Sequence, residues 1–289
     1  MAVCLTTFKN HKRLTVLLKS RTILPGFGLS FGISLFTLSL LVLIPFAMLI
    51  YSTAGMGWAK FWETISHAQV LAAIYLTLKM SFFAVLTNLV FGTMTAWVLV
   101  RYQFFGRSVV NALVDLPFAL PTAVTGIALA TLYAPSGWLG RWFDFKIAFT
   151  PLGIWLALVV VSFPFIVRAV QPVLEDLSPE LEEAAATLGA GHLTIFRRVV
   201  LPELMPALLT GSGMAFARAT GEYGSVVFIA GSIPYVSEIL PVIITAKLEL
   251  FDVAGASAVA LFMLLISFVI LFVFNITQWF FSKRLGAKV

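Results

Sequence analysis

Charge, cysteine and histidine are all in short supply in this sequence. Charged residues fill 11% of 289 positions, hydrophobic residues fill 60%, and the mean hydropathy is +1.01. A soluble globular chain carries charge at about a quarter of its positions, so this composition excludes a water-soluble fold and indicates a multi-span membrane protein. The one cysteine, Cys4, has no partner within the chain, which excludes an internal disulfide. His11, His67 and His192 fall in separate regions, without H-E-x-x-H or any paired metal spacing. Neither metal-dependent catalysis nor a serine-hydrolase elbow is expected. No glycine precedes a lysine, so the P-loop that cradles nucleotide phosphates is missing. The chain is expected to hold no cofactor or metal and to be no enzyme.

Long apolar runs stand where the charges do not. Crossing a hydrocarbon core of about 30 Å takes about 20 mostly apolar residues in a helix. Six segments meet that length: 29–51, 70–100, 109–133, 152–170, 207–230 and 254–281. The expectation is an all-α polytopic membrane protein of about six transmembrane helices. Residues 29–51 exceed the apolar core of a signal peptide, about 7–15 residues, and no A-x-A site comes after them, so they read as a retained span. The shorter apolar stretch 236–248 holds Glu238 and Lys247 and reads as a buried or interfacial helix on the outer side.

The basic residues orient these spans. Residues 1–28 carry Lys9, Lys12, Arg13, Lys19 and Arg21 and no acid. With six crossings this tail shares a side with Arg101, Arg107, Arg197, Arg198, Lys283, Arg284 and Lys288. Lys60, Arg141, Lys146 and Lys247 lie opposite. Twelve cations against four place both termini in the cytoplasm. The net charge of +6 thus serves orientation in lipid, and nucleic acid is not an expected partner. The division is a basic tail, 1–28, and a membrane domain, 29–289.

One cytoplasmic segment, 171–205, holds six of the thirteen acids. Ser178 is placed to cap a helix that opens on Pro179. Leu181, Ala184, Ala185 and Leu188 recur on one face, and Gly189 is suited to a left-handed stop. A second helical turn with Leu193, Phe196 and Val200 comes next, and Pro202 marks the next break. The result is a short, stiff knob on the cytoplasmic side.

Within that knob Glu183-Ala184-Ala185, Gly189, Val199 and Leu201-Pro202 match the spacing E-A-A-x3-G-x9-I-x-L-P, with valine for isoleucine. The pattern resembles the coupling loop of bacterial ABC importer permeases. The resemblance implies that Glu182, Glu183, Ala184, Ala185, Gly189, Leu201 and Pro202 seat in a cleft of an ATPase subunit. The tracts RYQFFGR (101–107), DLPFALPTAVTGIALA (115–130), QPVLEDL (171–177), EEAAATLGA (182–190) and ATGEYGSVVFIAG (219–231) are similar to sulfate/thiosulfate permeases, most of all the T-type subunit. Molybdate permeases share the coupling loop and a Gly-Glu-aromatic-Gly tract. The resemblance further implies a translocation path between this chain and a W-type homologue. An ATPase dimer consuming ATP and Mg, and an extracytoplasmic sulfate/thiosulfate-binding protein, complete the implied assembly. An ion-driven secondary transporter is the rival reading; it lacks support from any repeat of halves and leaves the coupling loop without a role.

Charges inside the spans are costly, about 2.5–3.5 kcal/mol each, so they mark protein contacts or a water-filled path. Lys79, Asp115, Arg218 and Glu222 are the candidates. Asp115 lies beside Pro117 and Pro121, whose freed carbonyls suit a cavity wall. Arg218 and Glu222 are four residues apart and can pair on one helix face. Two readings stay open for them, a buried structural pair and a lining of the path, and Gly221 and Gly224 beside them suit close helix approach.

Overall fold

The computed structural model describes residues 27–284, with side chains through Phe280. Residues 1–26 and 285–289 lie outside the described residues, and with them nearly all of the basic tail, Cys4, His11 and Lys288. Among the described residues every regular element is a helix: α1 (Phe27–Gly55), α2 (Trp58–Ser66), α3 (Ala68–Arg101), α4 (Arg107–Ala119), α5 (Thr122–Tyr133), α6 (Pro151–Asp176), α7 (Pro179–Thr187), α8 (His192–Thr220), α9 (Gly224–Ala230), α10 (Leu240–Glu249) and α11 (Val253–Arg284).

Five of them, α1, α3, α6, α8 and Val253–Phe280 of α11, are long and apolar enough to span a membrane. The stretch expected as one span at 109–133 is instead α4 and α5, bent by 110°. The bend has a local cause. Pro121 drives Leu120 into extended backbone, φ −80° and ψ 136°, and supplies no N–H to continue the ladder. Stretch 236–248 is not a span. α10 has ten residues, covers about 15 Å, and ties its first N–H, from Leu240, to Thr77 Oγ1 of α3 at 3.0 Å.

The chain falls into two units, Met1–Tyr51 and Ser52–Val289. The described part of the first belongs to α1, which is regular except for a π turn at Ser39–Leu43. Gly28-Leu29-Ser30-Phe31-Gly32 does fit the G-x-S-x-G spelling, yet it lies within a helix rather than at the strained strand-to-helix turn that exposes a nucleophile.

In the second unit α3, α6 and α8 form the centre. Lipid gives apolar side chains no reason to leave it, so close packing of small residues and polar links must hold spans together. Gly92 lets α3 approach Ile166, where a Cβ would stand 3.0 Å from its Cγ2, and Gly211 lets α8 approach Ala169 of α6. Asn88, fully buried on α3, donates to Ser162 Oγ at 2.9 Å and Val159 O at 3.0 Å on α6. Leu99, Ile166, Leu174, Val200 and Leu204 fill one core region; Ile154, Leu158, Val226, Ile229 and Ile239 fill another. A third joins α2 to α10 and α11 through Phe61, Ile65, Leu240 and Val259. Asp252 begins α11 by accepting from Gly255 N–H at 2.9 Å. The hydrogen bond from Lys247 Nζ, 3.0 Å, and then that from Gly255 hold its carboxyl below the usual carboxylate range.

Candidate functional site

The knob that the sequence anticipates folds as α7 and the start of α8. Ser178 Oγ accepts from Glu180 N–H at 3.3 Å, and Pro179 occupies the first turn, where its missing N–H costs nothing. Gly189 adopts φ +82°. Its N–H reaches Ala186 O at 2.9 Å, and that of Ala190 reaches Ala185 O at 3.1 Å, the paired bonds of a Schellman stop. No side chain of α7 is buried, and Leu181 and Leu188 are 52% and 89% exposed. Much of the apolar face is therefore left uncovered by the described chain. Pro202 does not break the next helix. Leu201 N–H bonds Phe196 O five residues back, so a π turn at Phe196–Val200 absorbs the proline and α8 runs on to Thr220.

The two glutamates of the motif differ. Glu183 is exposed, whereas Glu182 takes Arg101 Nη2 at 2.6 Å. The same guanidinium donates to Leu177 O at 3.2 Å and lies over Trp97 at 5.6 Å. Arg101 thus ties α7 to the end of α3, a link that no local sequence pattern announces. The knob is anchored twice, covalently to α6 and α8 and ionically to α3.

A second polar cluster lies between α4 and α6. Asp115 is a candidate from the sequence; its partner, Arg168, is not among the residues singled out there. Arg168 Nε and Nη2 clasp the two oxygens of Asp115 at 2.7 and 2.5 Å. Nη1 donates to Asn111 Oδ1 at 2.9 Å and Gln171 Oε1 at 2.5 Å, and Nη2 also to Asn111 O at 2.9 Å. All five N–H groups of the guanidinium are engaged. A lone arginine within the apolar stretch 152–170 is the available signal, reinforced by Asn111/Asp115 at i, i+4 and Arg168/Gln171 at i, i+3. Pro117 lies inside α4 and Pro121 at the α4–α5 bend, so the cluster sits just before that bend.

The pair expected at Arg218 and Glu222 forms, with Nη1 to Oε2 at 2.5 Å. Glu222 is 1% exposed and also binds a third residue, because its Oε1 accepts from both the N–H and the hydroxyl of Ser225 at 2.9 Å. The helix has ended by then, so the expected span 207–230 divides into α8 and the short α9. Of the two glycines, Gly224 makes the close approach. A Cβ there would meet Thr122 Oγ1 at 2.1 Å, and one at Gly126 would meet Ser225 O at 2.3 Å, so α5 and α9 touch nearly backbone to backbone. Gly221 has only ordinary contact, 3.6 Å from Ala217 O. Lys79 lies 5.4 Å from the Tyr75 ring.

Known proteins share this sequence and architecture. The sulfate transport system permease protein CysT of Escherichia coli K12 is 48% identical over 92% of this chain and 97% of its own length. Its namesake in Synechocystis is 44% identical over 85% and 87%. Among solved structures, a chain of a bacterial alginate ABC transporter, in complex with its pentasaccharide-bound periplasmic protein, superposes with TM-score 0.72 at 17% identity, covering 98% of each chain. A chain of the inward-facing methionine ABC transporter gives 0.57 at 19%, covering 73% of this chain and 95% of its own. Residues 88–286 match the binding-protein-dependent transport system inner membrane component family, and with the 48% identity this establishes that the chain belongs to that family.

Proposed function

We propose that this chain is one permease subunit of an ATP-driven importer that moves sulfate, and by the same chemistry thiosulfate, across a bacterial inner membrane. The carrying observation is the 48% identity to a sulfate permease over 92% of the chain. The geometry agrees with the role. α7 presents an exposed, rigidly stopped helix whose Glu183, Ala184, Ala185 and Gly189 are free to seat on an ATPase, while Glu182 braces it to α3 through Arg101. Leu201 and Pro202 set the π turn that carries the knob into α8. The remaining parts of the assembly are a W-type permease completing the path, an ATPase dimer consuming ATP and Mg, and an extracytoplasmic sulfate-binding protein. Both termini of this chain face the cytoplasm.

The experiment is reconstitution. The purified chain should show no ATP turnover. Assembled with its ATPase and second permease in liposomes, it should hydrolyse ATP faster when sulfate-loaded binding protein is added, and accumulate labelled sulfate. Turnover by the clean chain alone, or uptake that ignores ATP, would overturn the reading.

A further inference from the structure

Arg168 is the residue to which the family reading assigns no role. It lies eight positions before the end of α6, and Asp115 eight after the start of α4, so the pair sits about 12 Å inward along each helix. Yet the two side chains remain 31% and 47% exposed. Lipid is the costliest neighbour for such groups, so their open side faces water or another protein chain.

The contrast with Arg218 decides what each pair can do. Removing Arg218 from Glu222 would strand a carboxylate that is 1% exposed and unable to reach water. Asp115, at 47%, can release its arginine and be hydrated in place. The guanidinium would not collapse when it does. Asn111 Oδ1, Asn111 O and Gln171 Oε1 hold three of its N–H groups. The other two, on Nε and Nη2, remain aimed as a fork at the space the carboxylate vacates. A guanidinium fork matches two oxygens of a carboxylate and of a tetrahedral oxyanion alike.

We propose that Arg168 is an anion-exchange site in the translocation path, where the fork of Nε–H and Nη2–H passes from Asp115 to a translocating tetrahedral dianion and back. The carboxylate fills the fork between transport events, so the anion binds by displacing a resident competitor. Its net affinity is thereby kept low enough for release, as conduction requires. Asn111 and Gln171 are positioning residues that fix the plane of the fork. This inference rests on the importer reading above.

The test uses the full complex in nanodiscs without binding protein, and labelled sulfate as the probe. Asp115→Asn removes the competing charge while keeping the shape. It should raise sulfate affinity of the complex at least tenfold and slow uptake, and adding Arg168→Gln should return binding to background. Unchanged affinity in Asp115→Asn overturns the proposal. Failure of that variant to assemble overturns it as well, because a displaceable carboxylate cannot be essential to the fold. The wild-type complex separates the two readings. If loaded binding protein stimulates its ATPase while Asp115→Asn binds sulfate no better, the exchange site alone is lost. If wild type is not stimulated, the importer reading fails and takes this one with it.

Discussion

At the scale of single residues, burial of one partner separates the two intramembrane ion pairs. Glu222 is enclosed and holds the N–H and hydroxyl of Ser225, so it fixes where α8 stops and α9 starts. Its arginine keeps 35% exposure, which allows some screening. Arg218→Ala should therefore lower the yield of assembled complex, near the bottom of the about 3–5 kcal/mol typical when one member of a buried pair is removed. Arg218→Ala combined with Glu222→Gln should recover much of that yield, measured by co-purification with the ATPase. Full yield with abolished uptake in Arg218→Ala would transfer this residue to the path. The sequence announces the pair by its i, i+4 spacing. It cannot announce Ser225 as a third member, because that bond forms only once the helix has ended.

Among elements, α7 carries the mechanical argument. Gly189 at φ +82° stops it, and a Cβ there would meet nothing within 4 Å among the described residues. A side chain at 189 therefore meets only the left-handed penalty, about 1–2 kcal/mol, with no internal clash. Gly189→Asp should leave the spans inserted and folded, yet weaken ATPase binding and abolish its stimulation, since the contact surface itself is altered. Crosslinks from Ala185 should reach the ATPase in wild type and fall in the variant. Wild-type coupling in Gly189→Asp would remove α7 from the joint. The cap, the stop and the apolar face of this helix are all readable, because they depend on neighbours within about ten residues. Its brace is not: Arg101 and Glu182 are 81 positions apart, and nothing in either local sequence names the other.

For the whole molecule, the number of crossings turns on the 110° bend between α4 and α5. If the bent pair crosses, the turn before α4 and the loop after α5 lie on opposite sides. Phe105 and Trp138 are well exposed markers for those two places. In a Cys4→Ser background, a membrane-impermeant maleimide should label Trp138→Cys in intact cells and Phe105→Cys only after permeabilisation. Labelling of both from one side would make the pair re-entrant and leave five crossings.

The sequence by itself determined the solvent, the helical class, most of the membrane-spanning segments and the capped, glycine-stopped knob. Each of these comes from composition or from spacing within one or two helical turns, where the physics of lipid exclusion and helix capping is local. Tertiary structure alone decided which charges far apart in sequence meet. Arg168 reads in sequence as an isolated cost within an apolar run, and Asp115 as a carboxylate near a proline break. Only the antiparallel approach of α4 and α6 brings them to 2.5 Å. The backbone contact of α5 with α9 at Gly126 and Gly224 belongs to the same class. Such contacts join residues dozens of positions apart, and they are set by how the helices pack, which no local pattern encodes.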